Sequence, residues 1–114
     1  MSKPSQIPPA ETLLLQALIT PTVQGIASRI LAKTTGGSVT LFAFDAGQGL
    51  SEHTSPFEAL VMVLEGSLTL TIGGAPVAAT LRSIVRMPAN VPHTVEAPEP
   101  ARMLLIMLLD RPAS

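Results

Sequence analysis

Apolar positions along this chain change rhythm more than once, and each change predicts an element. Residues 1–10 have no period; with a single lysine (Lys3) and three prolines they read as a loose arm. Over 11–19, Leu14, Leu15 and Leu18 could share one helical face before Thr20-Pro21 stops it, so a short helix, or an arm lying across a sheet, is expected. From Val23 onward the period shortens. Two runs, 26–34 and 39–45, are separated by Thr35-Gly36-Gly37-Ser38, the chemistry of a hairpin loop. In the second run Val39, Leu41 and Ala43 alternate with Thr40, Phe42 and Phe44, so both faces are expected to be at least partly buried.

The middle of the chain is the most regular. A strongly apolar strand over 59–65 ends at Gly66. Leu68, Leu70 and Ile72 then alternate with Thr69 and Thr71, and Gly73-Gly74 makes a tight turn before a strand over 77–81. A strand over 84–87 runs into the turn Pro88-Ala89-Asn90-Val91-Pro92, and 93–97 follows as a short strand. Pro98 and Pro100 break the chain before the greasiest strand, 103–109. Eight or more short strands with one helix at most predict an all-β sandwich or closed barrel. The expected organisation is a partly helical N-terminal arm over 1–22 and one β-barrel domain over 23–114.

Composition narrows the functions open to such a domain. Charged residues make up 13% of the 114, about half the usual share, and the net charge is -1, which gives no footprint for nucleic acid or an anionic membrane. The absence of Cys removes disulfides, thiolate metal sites and cysteine nucleophiles; the absence of Tyr and Trp removes a phenolic acid and large stacking platforms. Leu13-Leu14-Leu15 is preceded by Glu11, interrupted by Gln16 and has no basic region before it, so it does not read as a signal peptide. The greasy run at 103–109 is far short of the roughly 20 residues that cross a bilayer. A cytoplasmic location is expected. With hydrophobic residues at 46%, an apolar patch is expected to remain for a second copy, hence a homodimer.

The two histidines stand in informative surroundings, each expected to open a strand immediately after a Gly- or Pro-rich turn, near one mouth of a small barrel. Gly47, His53 and Gly66 match the spacing of one motif, G-x5-H-x-H-x3,4-E-x6-G. Pro88 and His93 match a second, G-x5-P-x-G-x2-H-x3-N, with Asn90 in a glycine slot that Asn fills at positive φ. On these residues the chain resembles the cupin superfamily, the RmlC-like jelly rolls, from about Ile26 to Leu109. The resemblance implies a double-stranded β-helix barrel, commonly dimeric, with a metal held by histidines and a carboxylate of the first motif and a histidine of the second.

This chain departs from that pattern where the metal would sit. The second histidine slot is Ser55 and the carboxylate slot is Ala59, neither of which ligates a transition metal. Glu58 is one residue away, but strand alternation puts Ala59 on the interior face with His53 and points Glu58 outward; only a bulge near Pro56 would re-aim it. His53 and His93 are therefore an incomplete metal set, with Glu58 as the alternative third ligand. The expected cavity is lined by His53, Ser55, Ala59, Val61 and His93. The metal-free sugar epimerases of the same fold use a His–Asp pair and a Tyr; here Tyr is absent, and Asp45 and Asp110 are the only aspartates. Met62, Met87, Met103 and Met107 read as soft core filler, and Arg82 as an exposed turn residue in the first glycine slot of the second motif.

Three functions stay open. The leading one is a module that binds a small, mostly apolar molecule with no cofactor. The second is a metal-dependent oxygenase- or isomerase-like enzyme using His53, His93 and a re-aimed Glu58 with a divalent transition metal. The third is a structural or regulatory subunit that docks another protein.

Overall fold

A computed structural model describes residues 6–109. The first five residues of the expected arm, and Asp110, lie outside that range. Nine strands follow one another: β1 (Ile26–Thr34), β2 (Gly37–Phe44), β3 (Gly49–His53), β4 (Phe57–Glu65), β5 (Leu68–Ile72), β6 (Ala75–Ala79), β7 (Ile84–Met87), β8 (His93–Glu96) and β9 (Ala101–Leu109). They form two antiparallel sheets, one of five strands in the order β1-β2-β9-β4-β7 and one of four in the order β3-β8-β5-β6. The all-β jelly roll is thereby formed.

Alternation decides what each sheet contributes to the space between them. Ala59, Val61 and Val63 of β4 face inward beside Met103 of β9 and Met87 of β7, while Leu68 and Leu70 of β5 and Val95 of β8 close the core from the other sheet. Phe42 and Phe44, two apart on β2, stack with ring centroids 5.9 Å apart on that inner side. Gly66, with φ +70, turns β4 into β5, and a Cβ there would run into the carbonyl of Pro100. Arg82 and Asn90, in the two glycine slots of the second motif, have φ 65 and 64.

The expected N-terminal helix is reduced to one 3₁₀ turn, Leu15–Ala17. Leu14 is 65% exposed, so no helical face is buried. A segment of eleven residues between Pro8-Pro9 and Pro21 is too short to hold a helix without tertiary support. The alternative expectation, an arm across a sheet, describes the structure. Ile7 N–H donates to Leu31 O (2.9 Å), Arg29 Nη1 to Leu18 O (3.0 Å) and Arg102 Nη1 to Gln16 O (3.3 Å). Leu41 is fully buried beneath this arm, on the outer face of the five-stranded sheet, and so lies outside the core between the sheets. This is why both faces of β2 are apolar. Met62 also departs from expectation: it pairs with Ile84 on the outer face and is 37% exposed, so it is not core filler.

Candidate functional site at the histidine pair

His53 closes β3, rather than opening a strand, and lies opposite His93, which opens β8. The ladder places Leu50 against Val95 and His53 against His93, so Ser51 and Glu52 together face Thr94. That bulge matters, because Leu50 and His53 are three residues apart and a regular strand would turn them to opposite faces. With the extra residue absorbed, both point inward. Inside the bulge, Ser51 O accepts from Nδ1 of His53 at 2.8 Å; Val91 O accepts from Nδ1 of His93 at 3.1 Å.

These two bonds assign the protons. A carbonyl only accepts, so each Nδ1 carries a hydrogen and the two Nε2 atoms are left to face each other. The two Nε2 atoms stand 3.1 Å apart, with ring centroids 4.3 Å apart and planes at 69°. At that distance the contact needs one proton, or one donor or cation, between the two nitrogens. His93 is buried to 6% exposure, next to Ile72 on β5, whereas His53 is exposed at the rim. Ala59 and Val61 are buried on the inner face of β4. Ser55 is half-buried, its Oγ accepting from Phe57 N–H (3.2 Å).

The turn that delivers His93 is tied to the first motif from two sides. Asn90 N–H donates to Ser55 O (2.8 Å), and Ala89 N–H donates to Glu58 Oε2 (2.7 Å). Glu58 Oε1 receives Arg86 Nε (2.6 Å) and pairs with Arg86 Nη2. The Ala89 amide, and then Arg86, hold the Glu58 carboxyl below the ordinary carboxylate range. No feature of the sequence pointed to this use of Glu58. A concavity of about 440 Å³ lies elsewhere, on the outer side of the four-stranded sheet among Gln48, Ser51, Thr69, Thr94 and Glu96, and does not include the histidines.

The cupin domain family matches residues 40–107, more than half of the chain. The chain is a cupin. It is similar to a conserved protein of unknown function from Streptococcus pyogenes, with a TM-score of 0.85 and 29% identity over 93% of each chain. A cupin superfamily protein from Desulfitobacterium hafniense superposes with a TM-score of 0.84 at 25% identity, covering 91% of this chain and 95% of that one. A cupin 2 conserved barrel domain protein from Leptotrichia buccalis is 31% identical with a TM-score of 0.78, over 82% of this chain and 45% of that longer one. No curated protein matches significantly.

Within this cupin the donor set does not fit a metal centre built on about three protein ligands. Two imidazole nitrogens converge, but Ala59 offers a methyl group, and the Ser55 hydroxyl is turned to the Phe57 amide. Glu58 is on the outer face, opposite Leu108 in the β4–β9 ladder, with both oxygens occupied. The bulge that would have re-aimed Glu58 lies instead in β3, where it re-aims His53. Among the described residues no group of three or more His, Asp or Glu is placed to hold an ion. Among the described residues no carboxylate is hydrogen-bonded to either imidazole, and Asp45 spends its oxygens on the Gln24 and Ala46 amides. A His–Asp base is therefore not built among the described residues.

Proposed function

We propose that this cupin is a cytoplasmic binding module that holds a small, mostly apolar molecule at the mouth of the barrel. His53 and His93 meet its one hydrogen-bond-donating group. The 3.1 Å approach of the two Nε2 atoms carries this reading, because with each Nδ1 hydrogen given to a backbone carbonyl the pair converges on a single point between the rings. The apolar surroundings, Ala59, Val61 and Ile72, favour a ligand with little other polarity. Backbone carbonyls, rather than carboxylates, stand behind both rings among the described residues, and the chain has no Tyr or Cys; both support binding over acid–base or nucleophilic catalysis. The site works without a resident metal on this reading. Among the described residues no helix is long and apolar enough to cross a membrane.

The assembly that accompanies this reading is a homodimer through the outer face of the five-stranded sheet. Met62 (37% exposed), Ile84 (57%) and Leu108 (49%) share that face with both members of the Glu58–Arg86 pair. A twofold axis passing between Glu58 and Arg86 would set each charge of one copy against the opposite charge of the other.

A thermal-shift screen tests the binding function. Small carboxylic acids, phenols and alcohols with apolar bodies are to be run beside their methyl esters and ethers. The free acids or alcohols should raise Tm with concentration, as mass action requires, and the masked forms should not. His93→Ala should abolish the rise. A panel without hits, or equal rises with acid and ester, would overturn the proposal.

A further inference from the structure

We infer that Glu58 is a positioning residue for the histidine pair: from outside the barrel, its carboxylate fixes the turn that aims His93 inward. The inference rests on the pair being the ligand contact, which gives the positioning its purpose.

The geometry forms a short chain of contacts. Glu58 lies on β4, and its Oε2 takes the Ala89 amide at 2.7 Å. Two residues on, Val91 O holds Nδ1 of His93 at 3.1 Å. Between them Asn90, at φ 64, donates its amide to Ser55 O at 2.8 Å. Ala89 and Asn90, which lead into the Val91 carbonyl that orients the His93 ring, are thus pinned by Glu58 and Ser55. Those two residues follow His53 in the chain. One stretch therefore presents His53 to the barrel and holds the turn of His93.

The carboxylate suits this role better than any neutral side chain. It accepts only, and here each oxygen receives a donor: Ala89 N–H on Oε2, Arg86 on Oε1. Arg86 is 70% exposed in its side chain, so water can replace much of what it contributes. The Ala89 amide is in a half-buried turn and depends on Glu58 for its acceptor. The same pinning gives Glu58 a role although it faces away from the imidazoles.

Nitrogen-15 spectra of the histidine rings in the full-length chain, with amide hydrogen exchange, test the inference without any ligand. Wild type should show the Nδ1–H form for both rings. In Glu58→Ala the His93 ring should average between tautomers, and exchange at Ala89 should rise by about tenfold or more. Glu58→Gln, which can still offer one oxygen to Ala89, should retain most of the wild-type ring pattern. If Glu58→Ala does not fold, Glu58→Asp, whose shorter stem withdraws the oxygens from Ala89, should show the same averaging. Leu60→Ala, on the same face, should leave both rings unchanged. A wild-type His93 pattern in the folded Ala or Asp variant overturns the positioning role, even if Ala89 exchange accelerates. A changed ring pattern in a protein that binds no ligand would instead sink the binding function and leave the positioning intact.

Discussion

His53 lies directly opposite His93 in the β3–β8 ladder, with their Nε2 atoms 3.1 Å apart, because Ser51 and Glu52 crowd into the space of one residue. That single bulge turns an outward-facing histidine inward and places the Ser51 carbonyl on its Nδ1. Both imidazoles give Nδ1 to a backbone carbonyl and bring their Nε2 atoms together.

The first prediction concerns metal. Protein purified without a metal-affinity column should carry well under one equivalent of Mn, Fe, Ni, Cu or Zn by elemental analysis, since two nitrogens fall short of the usual ligand count. Near-stoichiometric metal, lost in His53→Ala or His93→Ala, would reverse the order of the binding and enzyme readings.

The second concerns pH. Glu58 is held below its ordinary range by the Ala89 amide and then Arg86; Asp45 is held down by the Gln24 amide and then that of Ala46. A depressed folded-state pKa means that the unfolded chain takes up protons first as pH falls. The stability these carboxylates contribute is therefore complete above their ordinary range, about 4, and is lost as pH drops through the lower folded values. Tm should decline across that acid window. Glu58→Gln and Asp45→Asn should each flatten the decline, and unchanged acid profiles in both variants would contradict the assignment.

A third prediction comes from the arm. Leu41 is completely buried, yet on the outer face of its sheet, where Leu15 and Gln16 of the arm lie beside it. Leu41→Ala should cost about 2–5 kcal/mol, the range for a buried leucine. Removing residues 1–19 should lower the denaturant midpoint as well, because it exposes Leu41 to water. If truncation leaves the midpoint where it was, the arm is not the cover.

The fourth tests the assembly. Light scattering should find a dimer, and Ile84→Glu should shift it to monomer by setting a charge among Met62, Leu104 and their counterparts in the second copy. A wild-type monomer at every concentration would refute the outer-face dimer.

Strand order along the chain was readable from apolar runs and the turns that bound them: the run at 26–34 coincides with β1 and that at 84–87 with β7, because Gly- and Pro-rich turns punctuate the chain between them. The left-handed turn at Asn90 was equally legible, since few side chains tolerate that conformation. The N-terminal segment was not. Its leucines suit a helix and an arm equally, and the choice depended on the carbonyls of Gln16 and Leu18 finding Arg102 and Arg29 on distant strands.

The amino-acid sequence by itself determined the all-β class, the two histidines as the centre of interest and the loss of two ligand slots at Ser55 and Ala59. Only the tertiary structure decided that a bulge at the end of β3 delivers His53 to the interior, that both rings give Nδ1 to a backbone carbonyl, and that Glu58 holds the His93 turn from outside. The reason is physical. Face and period are local properties of a strand, whereas a bulge, a tautomer and a cross-strand carboxylate contact depend on what a neighbouring strand presents, here 40 residues away between the two imidazoles.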